Sequence, residues 1–175
     1  TNIESTVTGI HNAVEAAEMM SGLDIDQCTV GLGGIHIEGL NSRGVFPISD
    51  KGRNNREIAQ NDIDSVIESA KAVVIPIDRE IIHVIPQTYT VDKQRGIKDP
   101  LNMIGVRLEA EVHIITGSVT SIKNIILCVN RADLQVENLI CHGLADVKAV
   151  MTKDEQETGS VLIDIGAGTT DIVVM

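Results

Sequence analysis

The chain has 175 residues, 43% of them hydrophobic, and 14 basic against 25 acidic side chains give it a formal charge of −11. So acidic a surface repels phosphate backbones and anionic lipid, which makes nucleic acid a poor partner. No run of about 18 apolar residues is present to span a bilayer, and apolar segments recur too regularly for a disordered chain.

Phe46 and Tyr89 are the only aromatic residues, so the core must be built from Ile, Val and Leu. Such β-branched richness suits buried strands and the helices that cover them. Cys28, Cys128 and Cys141 are odd in number and form no CxxC pair. They read as small buried hydrophobes in a reducing compartment, and a cytoplasmic location is expected. The opening Thr1-Asn2-Ile3-Glu4 reads as helix rather than signal peptide, and the apolar Ile172-Val173-Val174-Met175 reads as a chain cut inside a strand.

In chain order, Ile3, Val7, Ile10, Val14 and Ala17 form one face of a helix over 3–21. Residues 27–38 read as strand, 41–44 as a turn and 45–48 as a second strand. Gly31, Gly33 and Gly34 precede no helical pattern, so they predict bulges or close backbone approach rather than a phosphate loop. The polar stretch 49–60 is expected to be a surface loop. Asn61 then caps a helix carrying Ile63, Val66, Ile67 and Ala70.

Residues 80–91 form a strand, in which Pro86 predicts an edge or a bulge. A free edge near Ile85 and Gln87 offers backbone groups for self-association. After a loop over 92–105, residues 106–115 alternate strictly. Val106, Leu108, Ala110, Val112 and Ile114 take a buried face, and Arg107, Glu109, Glu111 and His113 a solvated charged one. Glu109 and Glu111 read as part of that face rather than as a catalytic pair. Ser118 or Thr120 caps the next helix, with Ile122, Ile125, Ile126 and Val129 as its stripe. A strand over 136–140, a helix over 145–151, a polar stretch over 152–159 and strands over 160–165 and 170–175 complete the chain. The five His are dispersed, so no metal cluster is expected, and His83 and His113 read as packed or surface strand residues.

The segment Asp164-Ile165-Gly166-Ala167-Gly168-Thr169-Thr170-Asp171 carries the chemistry. A buried strand ends in a carboxylate, then come a glycine turn, two hydroxyls and a second carboxylate. Glycine allows positive φ and lets backbone N–H groups approach a phosphate closely. Asp164 is placed to hold a hydrated Mg²⁺. A tight turn that merely needs glycine is the plainer reading of a lone GxG; the flanking Asp and Thr-Thr-Asp favour phosphate.

This segment resembles the second phosphate loop of the actin, Hsp70 and sugar kinase superfamily. The segments Ile82-His83-Val84-Ile85-Pro86-Gln87, Gly96-Ile97-Lys98-Asp99-Pro100 and Gly105-Val106-Arg107-Leu108-Glu109-Ala110-Glu111-Val112-His113 resemble the FtsA family of bacterial division proteins. Lys123-Asn124-Ile125, Val129-Asn130-Arg131 and Gly143-Leu144-Ala145 continue the match.

The resemblance implies an α/β, actin-like (ribonuclease H-like) subdomain, incomplete, with a small inserted α+β subdomain. Residues 1–25 and 116–175 would be subdomain 1A, and residues 26–115 the inserted subdomain 1C. It also implies a protein that tethers the FtsZ ring to the inner membrane at the septum through a C-terminal amphipathic helix beyond these residues. Subdomain 1C would serve self-association and later division proteins such as FtsN. Gly166, Ala167, Gly168, Thr169 and Thr170 would hold phosphate, and Asp164 Mg²⁺ through water. The whole protein is then expected to be a weak ATPase using ATP and Mg²⁺, whereas this segment, with half the phosphate donors, is expected to bind no cofactor and to be inactive. The alternatives are a pilus-assembly-type adaptor that holds a peptide on the same 1A–1C layout, and a small-molecule kinase, for which no general base or sugar pocket is evident.

Overall fold

A computed structural model describes residues 2–48 and 56–175, so most of the loop expected over 49–60 lies outside the described residues. In chain order the elements are α1 (Ile3–Ser21), β1 (Gln27–Leu32), β2 (Ile37–Pro47), β3 (Arg56–Glu57), α2 (Gln60–Lys71), β4 (Arg79–Val91), β5 (Gln94–Ile97), β6 (Ile104–Gly105) and β7 (Arg107–Ser118). Then come α3 (Val119–Arg131), β8 (Gln135–Cys141), α4 (His142–Val150), α5 (Lys153–Thr158), β9 (Val161–Ile165) and β10 (Thr170–Val174). They divide into two units. The first holds Thr1–Ile37, Asp78–Ile82 and Gly117–Met175; the second holds Glu38–Ile77 and His83–Thr116.

In the first unit β1 and β8 pair in parallel, Leu32 opposite Cys141, with a register shift between Cys28 and Thr29. Helix α1 starts where Asn2 Oδ1 accepts from the Ser5 N–H and stops at Gly22, whose φ of 71° lets its N–H reach the Glu18 carbonyl. It packs against α3, which packs in turn on β8. Ser118, not Thr120, caps α3 by accepting from Ser121. Leu32, Ile122, Val129, Leu134 and Val147 form this unit's buried core.

Gly31 and Gly33 meet the expectation of close approach. A Cβ on either would lie within about 2.5 Å of the His142 ring at the start of α4. The polar stretch 152–159 holds a short helix, α5. Thr152 and Glu155 close a capping box, each side chain bonding the other's N–H. The Thr-Lys-Asp-Glu run is the signal that marks it.

The second unit is a four-stranded sheet, β2-β7-β4-β5, with α2. Hydrogen bonds from Thr116 to Glu38 and between His113 and Asn41 show β2 and β7 running antiparallel. The expected turn at 41–44 is absent: β2 runs straight through it. Gly44 serves packing instead. A Cβ there would lie 2.1 Å from the Val66 carbonyl oxygen of α2, and Ser42 Oγ donates to the Ala70 carbonyl. Helix α2 begins at Gln60, one residue before the expected cap Asn61. The Asp62 carboxylate accepts from the Ala59 N–H and so satisfies a free donor of the first turn. Arg56 grips the same carboxylate with both guanidinium nitrogens at 2.6 Å.

Strand β7 buries Leu108, Ala110, Val112 and Ile114 as expected, but Val106 stays exposed. Its charged face is not wholly solvated either. Glu109 is buried, and its two carboxylate oxygens are ion-paired to the guanidinium groups of Arg43 and Arg107, whose side chains are half exposed. The region read as a loop over 92–105 contains β5 and β6. Asp92, at φ 54°, turns the chain, and its carboxylate accepts from the Val106 and Arg107 N–H groups. Among the described residues β5 pairs with β4 at Tyr89 and Val91, beyond Pro86, which is consistent with the edge expected there.

Candidate functional site

Strands β9 and β10 form an antiparallel hairpin with Ile165 opposite Thr170 and Asp164 opposite Asp171. Gly166 N–H donates to the Thr169 carbonyl at 2.9 Å, which leaves Ala167 and Gly168 at the tip. The N–H groups of Ala167, Gly168 and Thr169 donate to no acceptor among the described residues. All five residues read as phosphate-binding, Gly166 through Thr170, are exposed at this end. Neither Gly166 nor Gly168 adopts positive φ, so positive φ is not what the loop draws from its glycines. Gly168 instead offers room, since nothing lies within 4 Å of a Cβ built on it.

Asp164 lies at the loop end of β9, exposed, with Asp171 half-buried across from it. Register partners project from the same side of a hairpin, so two carboxylates meet there. A hydrated divalent cation fits such a pair, because it takes carboxylate oxygens and keeps its water. The open N–H groups at the tip fit phosphate oxygens. Asp171 belongs to the motif, but its pairing with Asp164 depends on the register of the two strands. The hairpin rests against α4, where a Cβ on Gly143 would come within 2.5 Å of Val173.

The other candidate residues do not join this site. Glu109 is held by its two arginines, Glu111 accepts from Thr88 at 3.5 Å, and His113 Nδ1 hydrogen-bonds Asn41 Oδ1 at 2.7 Å. Burial holds the His83 imidazole below its ordinary pKa. At the β4 edge, Gln87 Nε2 donates to the Ile85 carbonyl. Cys128 is buried, while Cys28 and Cys141 are half-buried. Among the described residues no three His, Cys, Asp or Glu side chains converge on a metal position. No helix among them is long and apolar enough to cross a membrane.

A family model described as the SHS2 domain inserted in FtsA matches residues 34–116, a range that contains the second unit. The cell division protein FtsA of Borreliella burgdorferi is 50% identical over 173 residues, covering 99% of this chain and 41% of that protein. FtsA of Pseudomonas aeruginosa is 45% identical over 99% of this chain and 40% of its own length. FtsA of Escherichia coli K12 is 40% identical with the same coverage. The chain thus spans about two fifths of the length of these curated relatives. Among solved structures, a chain of the PilM-PilN type IV pilus biogenesis complex superposes with a TM-score of 0.60 at 12% identity, over 95% of this chain and 44% of that one. That likeness is one of fold, and together with the SHS2 domain it fits an incomplete actin-like α/β architecture. With an FtsA-type insertion in its middle and FtsA-like sequence along both units, the chain belongs to the FtsA family of cell division proteins.

Proposed function

We propose that this chain is the part of a division protein that joins an interaction subdomain to one half of a nucleotide site. The observation that carries the reading is the 40–50% identity to FtsA proteins, sustained along 99% of the chain. In the whole protein, Gly166, Ala167, Gly168, Thr169 and Thr170 hold the phosphates of ATP, and Asp164 holds Mg²⁺ through water. Bound there, Mg²⁺ offsets the charge of the phosphates, which is the main electrostatic demand of phosphoryl transfer. The chain's own contribution is a set of N–H donors already aimed out of the hairpin.

The second unit is the surface for self-association and for later division proteins such as FtsN. The whole protein binds FtsZ and works at the cytoplasmic face of the inner membrane, at the septum, through a membrane helix outside these residues. A pilus-type adaptor is the competing reading, but it rests on fold likeness at 12% identity.

A pull-down tests the proposal. The full-length protein and these 175 residues are each mixed with purified FtsZ and with the cytoplasmic part of FtsN. Binding of FtsZ by the full-length protein alone, and of FtsN by both, is expected. A full-length protein that ignores FtsZ and captures a pilus inner-membrane peptide overturns it.

A further inference from the structure

Helix α1 carries an apolar stripe, yet none of its side chains is fully buried. Beside it, within the first unit, α1 and α3 enclose a cavity of about 280 Å³. Ile3 and Ile10 of α1, with Ile125 and Cys128 of α3, form its apolar wall. Ser121 and Asn124 add a hydroxyl and an amide, and no Lys, Arg, Asp or Glu lines the space.

His36 completes the lining. Its backbone is fixed from two sides, since the His36 carbonyl accepts from the Ser118 N–H at 3.2 Å and from Arg79 Nη2 at 3.1 Å. Its ring nitrogen Nε2 is buried and has no hydrogen-bond partner among the described residues. A polar atom so placed has given up its hydration without compensation, which a bound partner would restore.

Apolar walls with a few polar groups are the usual build of a small-molecule site, and this volume lies just under the common range of about 300–1,000 Å³. The space suits a molecule of one or two rings rather than a peptide or a nucleotide. A charged ligand of either sign would be desolvated there without a counter-charge. A hydroxyl matches His36 in either tautomer, because it can donate to a bare ring nitrogen or accept from a protonated one.

We propose that this cavity binds a small uncharged aromatic alcohol, with its rings between α1 and α3 and its hydroxyl bonded to His36 Nε2. The site shares no residue with the β9–β10 hairpin, and it stands independently of the nucleotide and self-association readings.

The probe is 1-naphthol, with naphthalene as its hydroxyl-free counterpart. The chain has no Trp, and Phe46 and Tyr89 lie in the second unit, so naphthol fluorescence is read against a low background. Saturable binding of 1-naphthol by the 175-residue chain is expected, with naphthalene about tenfold weaker, the worth of one hydrogen bond. His36→Phe keeps a ring in the wall and should lower naphthol affinity about tenfold while leaving naphthalene within about twofold. Ile125→Trp fills the space and should abolish binding of both. In thermal melts by circular dichroism, naphthol should raise the midpoint of the wild type and leave that of Ile125→Trp unmoved. The same melts show that each variant folds, and His36→Phe carries the test should Ile125→Trp not fold.

Absence of saturable naphthol binding by the wild type overturns the site. Binding that a folded Ile125→Trp chain retains also overturns it, by placing the naphthol elsewhere. Equal affinities for naphthol and naphthalene, or a preference that survives in His36→Phe, overturn the part given to His36 and with it the alcohol class.

Discussion

Asp164 and Asp171 face each other as register partners across the β9–β10 hairpin. Like charges so placed weaken a strand pair by up to about 1 kcal/mol. Asp171→Asn should therefore raise the thermal midpoint in magnesium-free buffer, with a gain of about 0.5 kcal/mol. Millimolar Mg²⁺ should narrow the gap between wild type and variant. A variant that melts earlier than wild type without Mg²⁺ would contradict this reading.

The phosphate loop of this chain supplies donors from one hairpin only. Tight recognition of a triphosphate needs charge-assisted bonds converging from several directions. Calorimetry of the 175-residue chain with Mg-ATP should thus give no measurable heat of binding. A dissociation constant in the micromolar range would show that the hairpin and its surroundings suffice.

Glu109 sits at 6% side-chain exposure between Arg43 and Arg107, which are 52% and 55% exposed. The two sides of this cluster are therefore unequal. Removing the carboxylate frees two arginines that water already reaches. Removing both arginines strands a buried charge. Arg43→Met with Arg107→Met should cost about 3 kcal/mol, and Glu109→Gln about 1 kcal/mol, by urea denaturation. Equal costs would mean that Glu109 reaches water by another path.

Gly44 meets α2 where no side chain has space. Gly44→Ala should destabilise the chain by about 3 kcal/mol, since the obstacle is backbone and cannot rotate away. Gly96→Ala is the contrasting case: it has open space, and its φ of 74° is the source of any cost. Its penalty should be nearer to about 1 kcal/mol. The two denaturation curves together separate steric from conformational need.

Asp62 and His83 both contribute to the acid side of the stability profile. The Arg56 guanidinium, by hydrogen bonding, and the Ala59 N–H hold Asp62 below its ordinary value of 3.8 against the opposing effect of burial. Its stabilisation is complete above that value and is lost as pH falls through the lower folded one. Burial lowers His83 from 6.5. The folded state therefore favours the neutral ring, and stability that is complete above 6.5 declines as pH drops below it. Thermal melts from pH 8 to 3 should show a first decline starting near 6.5, absent in His83→Gln, and a second below 3.8, reduced in Asp62→Asn. A profile that His83→Gln leaves unchanged would place the first decline elsewhere.

Much of this chain follows from local pattern. Periodicity places α1, α2, α3 and β7, because a face turned toward neighbouring elements imposes a repeat of 3.6 or 2 on the apolar residues. The glycine, threonine and aspartate motif marks the hairpin end because few residue types leave backbone N–H groups open beside a carboxylate. Those features are properties of neighbours in the chain, and the sequence by itself determines them. Tertiary structure decided the rest. Gly44 resembles a turn residue until α2 lies against it, and the Glu109 carboxylate is solvated until Arg43, 66 residues away, pairs with it. The parallel pairing that brings Cys141 beside Leu32, and the register that sets Asp171 against Asp164, also exist only in the folded chain. Contacts of that kind join residues that share no local repeat, so packing and strand register alone can assign them.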